Sequence, residues 1–463
     1  MQAAVAAGHP ATVSAGIEIL EEGGTAADAA VAAALASCVA ETVMTGLLGG
    51  GHAIHYESSS GRVRNLDCFV AVPGLDAERR EPELVQLDVL FGSELVHYAV
   101  GPASCAVPGL PAGLEALWHE HGRLPWPRLV EPAVSLAREG VEFPSAHAAC
   151  LAMLAPVMTM NEGARIYSPR GELLQAGDRL EQPGLAQALQ ELAADPSAVY
   201  RGTIAESLLA LSAERGGLLT RTDLYAYEPR WSEPVEVGYT DARLVTRGGL
   251  SGLPETVRRL PRLRGLGETR RVLVLVDLLA SGRESAGDTT NVAVVDDEGN
   301  ACVVTSSLGL GSGDFLPGLD LHLNSMLGEV DLLRGPLEPG ARMLSMMAPT
   351  VVLDTDGLSL AAGAAGGTRL RTALLGVIAG ILDEGLSADA AVERPRFHPG
   401  PEVVNAEPGV DEAALTALEA RGRTVRRWSA PHHYFGGVSV VSRSGAAGDP
   451  RRSGAAMTIC RGR

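Results

Sequence analysis

Residues 288–305 read Asp288-Thr289-Thr290-Asn291-Val292-Ala293-Val294-Val295-Asp296-Asp297-Glu298-Gly299-Asn300-Ala301-Cys302-Val303-Val304-Thr305. The run 292–295 is apolar and β-branched, as a buried strand requires. Asp296 to Asn300 supplies turn chemistry, and 302–305 is a matching return strand. The stretch therefore predicts a β-hairpin with two hydroxyl residues at its entrance. Thr-Thr before a strand is commonly just good β-propensity. A threonine hydroxyl becomes a nucleophile only when a base lies within reach. The rest of the chain decides between these readings.

The chain has 463 residues, 46% of them hydrophobic, which is enough for a large buried core. Its formal charge is −18, which argues against nucleic acid and anionic membranes as partners. All 38 basic residues are arginine, so a catalytic lysine, a Schiff base and a phosphate-loop lysine are excluded. The cysteines (Cys38, Cys68, Cys105, Cys150, Cys302 and Cys460) are scattered, without a C-x-x-C pair. Core packing in a reducing compartment is the expectation. The N-terminus lacks a basic stretch followed by a long apolar run, so no signal peptide is read and a cytoplasmic location is expected. The Ala-rich window 26–40 carries Asp28 and is too short to cross a bilayer.

Around the hairpin, apolar spacing predicts a helix over 12–22 that stops at Gly23-Gly24. Thr25 and Asp28 form a capping-box pattern that opens a second helix to about residue 39. Gly49-Gly50-Gly51 leads into a hairpin over 53–66. Helices follow near 111–121, 127–139, 181–194 and 203–214. Residues 245–287 carry no clear periodicity, and 272–279 fits a helix or a strand. Beyond Thr289, strands 350–353 and 358–362 flank a turn, and 437–442 is read as pairing with 456–460. Helices are placed near 370–384, 387–393 and 411–421. Hairpins from both ends of the chain with helices outside them imply one layered α+β unit.

With these elements in place, the chain resembles the γ-glutamyltranspeptidase family of N-terminal-nucleophile hydrolases. The resemblance rests on an ordered set of motifs. Near the front are His9-Pro10, Gly23-Gly24-Thr25-Ala26-Ala27-Asp28, Gly49-Gly50-Gly51, Ala106-Val107-Pro108-Gly109 and Tyr200-Arg201-Gly202. In the second half are Thr289-Thr290, Gly299-Asn300-Ala301, Leu323-Asn324, Leu344-Ser345, Gly366-Gly367, Pro395-Arg396-Phe397 and Asp449-Pro450-Arg451-Arg452. It implies a four-layer αββα sandwich and self-cleavage between Asp288 and Thr289. Residues 1–288 would form a large subunit and 289–463 a small one, folded as one unit. Thr289 would attack an amide carbonyl and its own freed amine would act as base. Ser307 would bond that amine, and the N–H groups of Gly366 and Gly367 would hold the oxyanion. The implied partners are a small-molecule amide and a water or amine acceptor. No cofactor and no metal are implied.

Departures fall on the substrate side. The family's carboxylate-binding arginine aligns with Phe69 in Asp67-Cys68-Phe69-Val70. The serine that follows Ser345 in the family is Met346, and the amine-binding positions align with Gly309, Met326 and Glu329. The position usually held by histidine after the two threonines is Asn291. An apolar or reshaped acyl pocket is therefore expected, because a buried carboxylate without its cation is disfavoured by several kcal/mol. The short stretch between Thr246 and Thr289 is expected to lack the family's helices before the cleavage site.

Two other readings remain. One is an inactive relative acting as a binding or structural protein. The other is ordinary γ-glutamyl transfer, with Arg342 or Arg369 reaching the pocket. His52-x-x-His55 on a strand places its rings on opposite faces, against a zinc site. His119-Glu120-His121 reads as a solvated helix end, and His432-His433 as a surface loop. The glycines at 309, 311 and 313 have no helix after them, against a dinucleotide site.

Overall fold

The computed structural model describes residues 1–77, 84–91, 94–280, 289–334 and 337–459. Cys460 and Asp288 lie outside these residues, so the expected bond to be cut is described only from its Thr289 side.

Two antiparallel sheets face each other. One has seven strands, in the order Ala455–Thr458, Ala4–Ala7, Thr290–Val295, Ala301–Ser307, Gly50–Glu57, Arg62–Cys68 and Arg230–Ser232. The other has six, in the order Gly445–Gly448, Gly437–Ser442, Gly357–Ala365, Thr350–Asp354, Ala242–Thr246 and Val235–Tyr239. Segments before and after Thr289 thus contribute strands to both sheets. Between the sheets lie Ala6, Ile54, Val245, Ala293, Val295, Val303, Val351, Ala361 and Val441. Outside the first sheet pack the helices Pro10–Glu21, Ala26–Ala40, Trp126–Glu139 and Pro183–Ala194. Outside the second pack Glu268–Leu279, Arg369–Leu382 and Glu412–Ala420. The protein is a four-layer αββα sandwich.

Strand alternation sets the location of the site. Val292 and Val294 join the helix-side core, whereas Ala293 and Val295 face the opposite sheet. By the same parity Thr290 faces the helices, and Thr289 opens at the mouth between the sheets. Helix Ala26–Ala40 is buried at every residue, which small side chains permit. Its capping box is present, with Thr25 Oγ1 accepting from Asp28 N.

Several expectations need correction. Strand Ala455–Thr458 does not pair with Gly437–Ser442 but joins the other sheet beside Ala4–Ala7. The 3₁₀ turn Pro450–Arg452, followed by Ser453 at φ 60°, carries the chain across, and Gly445–Gly448 takes the expected partner's place. The stretch before Thr289 is not bare of helices: it holds Leu253–Arg259 and Glu268–Leu279. Helix Ser145–Met158, with Pro156 inside it, adds to the helices placed near 127–139 and 181–194 in a region that reads as helical. His433 is buried in the 3₁₀ turn His433–Phe435 instead of lying on a surface loop. His121 is half-buried, its ring stacked 3.7 Å from that of His55.

Candidate active site

Thr289 is 6% exposed and lies at the junction of two cavities. The front cleft is small and half-open to solvent. Thr289, Ser307, Gly367 and Ser345 line it together with an apolar cluster of Phe69, Met326, Leu332, Met346 and Met347. Glu329, near Ser307 through Gly309, and Leu370, beside Gly367, complete the lining. The fold thus gathers residues from six separate segments into one cleft. Of the described residues anticipated for the site, Gly366 and Gly309 are not on its lining, and Asp288 lies outside the described residues.

Ser307 ends the return strand one position beyond Ser306, the partner of Thr290, so the antiparallel register brings it opposite Thr289, while on its other side it opposes Gly50. Its hydroxyl accepts from Gly309 N at 2.9 Å, which fixes the rotamer. The three glycines at 49–51 have a steric cause. A Cβ on Gly49 would overlap the Ser307 carbonyl, and one on Gly50 would come within 2.7 Å of Val70 N. Only glycine lets the Phe69 segment cross so close to the strand that carries Ser307.

Gly366 and Gly367 form the turn between strand Gly357–Ala365 and helix Arg369–Leu382. Their φ angles are 120° and 56°, and a Cβ on Gly366 would lie 2.8 Å from Gly436 Cα. Backbone N–H groups at a helix start have no carbonyl one turn back and carry the positive end of the helix dipole. Gly367 brings this end of the helix to the cleft beside Thr289.

The Phe69 wall is apolar. Phe69 is 1% exposed and packs with Val72, Met326, Leu332, Met343 and Met347. Its carbonyl accepts from the Tyr227 hydroxyl at 2.6 Å and from Arg342. Arg342 is therefore engaged behind the wall, and its guanidinium also lies over the Tyr227 ring. Arg369 is buried, donates to the Tyr434 carbonyl and stacks on that ring. Neither arginine lines the cleft. The idea that either replaces the missing cation at position 69 fails on this geometry. Arg247 also turns away, donating to the carbonyls of Ser345 and Met347; burial lowers its pKa to about 10. Ser345 Oγ accepts from Met347 N at 3.1 Å. Glu329 is 8% exposed and sits against Gly309, where a Cβ would come within 2.5 Å of Oε1.

Behind Thr289, Glu41 and Arg452 went unnoticed in the sequence. Glu41 caps the Ala-rich helix and accepts from Thr12 Oγ1 at 2.7 Å and from Thr290 Oγ1. Burial pushes its carboxyl up to about 7, against the pull of the two hydroxyls and of the Arg452 charge. Arg452 donates to the Thr289 carbonyl at 3.3 Å. The signal available for Glu41 was an acidic residue at the end of an Ala-rich helix. Arg452 stood in a recognised motif without an assigned role. Neighbouring Arg451 instead pairs with Glu407 and Asp449. Among the described residues, no cluster of His, Cys, Asp or Glu is arranged to hold a metal ion, and no helix is long and apolar enough to cross a membrane.

A family model for γ-glutamyltranspeptidase matches residues 12–258 and 275–459, and the chain belongs to that family. It is 28% identical to the acylase ACY 1 proenzyme of Pseudomonas sp. (strain SE83), covering 91% of this chain and 87% of that one. It is 27% identical to the glutathione hydrolase proenzyme of Escherichia coli (strain K12), covering 92% and 86%. Among solved structures, cephalosporin acylase from Bacillus halodurans superposes with a TM-score of 0.85 at 22% identity, over 100% of this chain and 96% of that one. At that identity the likeness speaks for the fold.

Proposed function

We propose that the protein is a self-processing amidase or acyltransferase that works through an acyl ester on Thr289 and takes an apolar acyl group. The observation that carries this reading is the cleft itself. Thr289, Ser307 and Gly367 meet in it with an apolar cluster of Phe69, Met326, Met346 and Leu332, and Leu370 adds a further apolar group beside Gly367.

In this reading, cleavage before Thr289 frees its α-amine. The amine accepts the Oγ proton as Oγ attacks the substrate carbonyl, and it later delivers a proton to the departing nitrogen. Ser307 orients the amine. The N–H groups at the Gly366-Gly367 turn meet the oxyanion, an interaction that grows in the transition state. Water or an amine then releases the acyl group. A γ-glutamyl α-carboxylate would meet Phe69 where a cation is required, a loss of several kcal/mol. An aliphatic or aromatic acyl chain would instead gain about 25 cal/mol for each Å² it buries. Glu329 keeps one negative charge at the edge of the cleft, which suits a substrate that carries an ammonium group. The name of the Pseudomonas relative, an acylase, agrees with an acyl specificity outside γ-glutamyl.

The test pairs intact mass with a substrate panel. Wild type should appear as two pieces split before Thr289, and Thr289→Ala should remain whole. Processed enzyme should turn over phenylacetyl or butanoyl anilides at least tenfold faster, by kcat/KM, than the γ-glutamyl anilide. An uncut wild type would overturn the mechanism and favour an inactive relative. A preference for the γ-glutamyl anilide would overturn the specificity.

A further inference from the structure

The base invoked above does not exist before cleavage, because the nitrogen of Thr289 is then an amide. Some other group must hold the Thr289 Oγ proton during the first cut. The rear cavity, a narrow crevice, is shared by Thr289, Thr290, Glu41, His147, Asn291, Asp449 and Arg452. Polar side chains stand among its mostly apolar surface, and the buried Asn291 Oδ1 makes no hydrogen bond to the described residues. The space is close to the size of a single water molecule, which these polar side chains can hydrogen-bond. Glu41 is the carboxyl bonded to the hydroxyl next to the nucleophile, through Thr290 Oγ1. Gly8 is glycine because a Cβ there would overlap Glu41 Oε2. The backbone of Thr289 is held from the same side by Arg452.

We infer that Glu41 is the proton-holding residue of the self-cleavage reaction, acting through Thr290 Oγ1 and water in the rear cavity. The inference rests on the self-processing reading. In the step, Thr289 Oγ bonds to the carbonyl carbon of residue 288 as the peptide C–N bond breaks. The Oγ proton passes to the Glu41 carboxylate, and a proton returns from Glu41 to the departing nitrogen, which becomes the free amine. Water then hydrolyses the ester and leaves a carboxylate on residue 288. Glu41 is restored, so the exchange balances.

The charged and titratable groups around Glu41 set when it can act. Arg452 faces it across the cavity and favours the carboxylate, and Asp449 lines the same space. His147 also lines the cavity, and burial lowers its pKa to about 3, so it stays neutral near pH 7. Cys38 lies on the helix that Glu41 caps, and burial raises its pKa so that it stays a thiol. His9, whose pKa burial also lowers, lies 5.7 Å from the ring of His147. With Glu41 at about 7, the carboxylate fraction rises through neutrality.

The test follows freshly translated full-length chain in a cell-free reaction, diluted into buffers from pH 5.5 to 8.5, with cleavage timed by intact mass. Wild type should cleave faster as pH rises and level off above about 7.5. Glu41→Gln, which mimics the protonated acid, should cleave about a hundredfold more slowly, as expected for loss of a proton acceptor, with no rise across this range. Glu41→Asp should recover part of the rate and the rise. Thr290→Val should slow cleavage and Thr290→Ser should restore it, which guards against a misfolded Glu41→Gln. A flat wild-type profile, or Glu41→Gln cleaving at the wild-type rate, would overturn the inference while leaving self-processing intact. A wild type that never cleaves would sink the parent reading and this one together.

Discussion

The two walls of the front cleft follow different rules. The wall with Thr289, Ser307 and Gly367 is backbone-dominated: strand ends, a helix start and glycines whose missing Cβ atoms allow close approach. The wall with Phe69, Met326 and Met346 is side-chain-dominated and apolar. Geometry that depends on backbone position tolerates little change, because one added Cβ collides with main chain. A wall built of side chains can be resurfaced while the fold stays as it is. The contrast teaches that the reaction and the acyl specificity are separable in this cleft.

The largest expected effect tests the backbone wall at its centre. Thr289→Ala should abolish both self-cleavage and amide turnover, lowering kcat by about three orders of magnitude or more, read by intact mass and anilide release. Thr289→Ser, which keeps a hydroxyl, should retain cleavage. Next comes Gly366→Ala. A Cβ there meets Gly436 Cα at 2.8 Å in a conformation with φ of 120°. We expect kcat to fall about 10²- to 10³-fold as the oxyanion donors are displaced. A lowered Tm should accompany it, because strain of about 1–3 kcal/mol enters the turn. Unchanged kcat in Gly366→Ala would break the backbone half of the comparison.

Phe69→Arg tests the side-chain wall from the opposite direction. The substitution places a guanidinium where Phe69 is 1% exposed and packed against Met326 and Met347. Turnover of an apolar anilide should fall about tenfold to a hundredfold, as roughly 1.5–3 kcal/mol of apolar contact is lost. The variant should have a lower Tm that glutamate or glutarate restores, since a carboxylate would pair the buried charge. Self-cleavage should continue, because position 69 lies on the other wall.

The difference between the walls also explains what could be read from the chain alone. The hairpin after Thr289, the Ala-rich helix and its Thr25–Asp28 cap were legible because periodicity and capping are local. The convergence of Thr289, Ser307, Gly367 and Phe69 was legible only through the order of motifs, since hundreds of intervening residues carry no distance information. The crossing at Asp449–Ser453 was hidden because strand Ala455–Thr458 is short and its partner Ala4–Ala7 lies at the other end of the chain. The helices of 253–279 were hidden by arginines and glycines that blur the apolar period. Glu41 was hidden because nothing local to a helix end shows that it will meet a hydroxyl almost 250 residues later.

A smaller effect concerns stability and pH. Burial lifts Glu41 from its ordinary 4.5 to about 7, so the folded state holds a proton that the unfolded chain has released. Its favourable contribution is fully present below about 4.5 and is lost as pH rises through about 7. The difference is of order 3 kcal/mol for a shift of this size. Glu41→Gln has no proton to lose. Its Tm relative to wild type should therefore be higher at pH 8 than at pH 5, by scanning calorimetry. Parallel Tm curves for the two proteins would mean that the carboxyl does not titrate in this window.

The smallest effect is the sharpest probe of separability. Met346→Ser restores the hydroxyl that the family carries after Ser345, without altering the backbone wall. Met346 is only partly buried and packs against the Phe69 and Met326 cluster, so truncation removes part of one side chain's contact. The expected loss is about 1 kcal/mol, a few-fold rise in KM for an apolar anilide. Since that contact exists equally in the bound substrate and in the transition state, kcat should hold. The γ-glutamyl anilide should gain little, because one hydroxyl does not replace the absent cation at position 69. If kcat fell with KM unchanged, Met346 would be acting on the reacting atoms, and the division of the cleft into a chemical wall and a recognition wall would have to be redrawn.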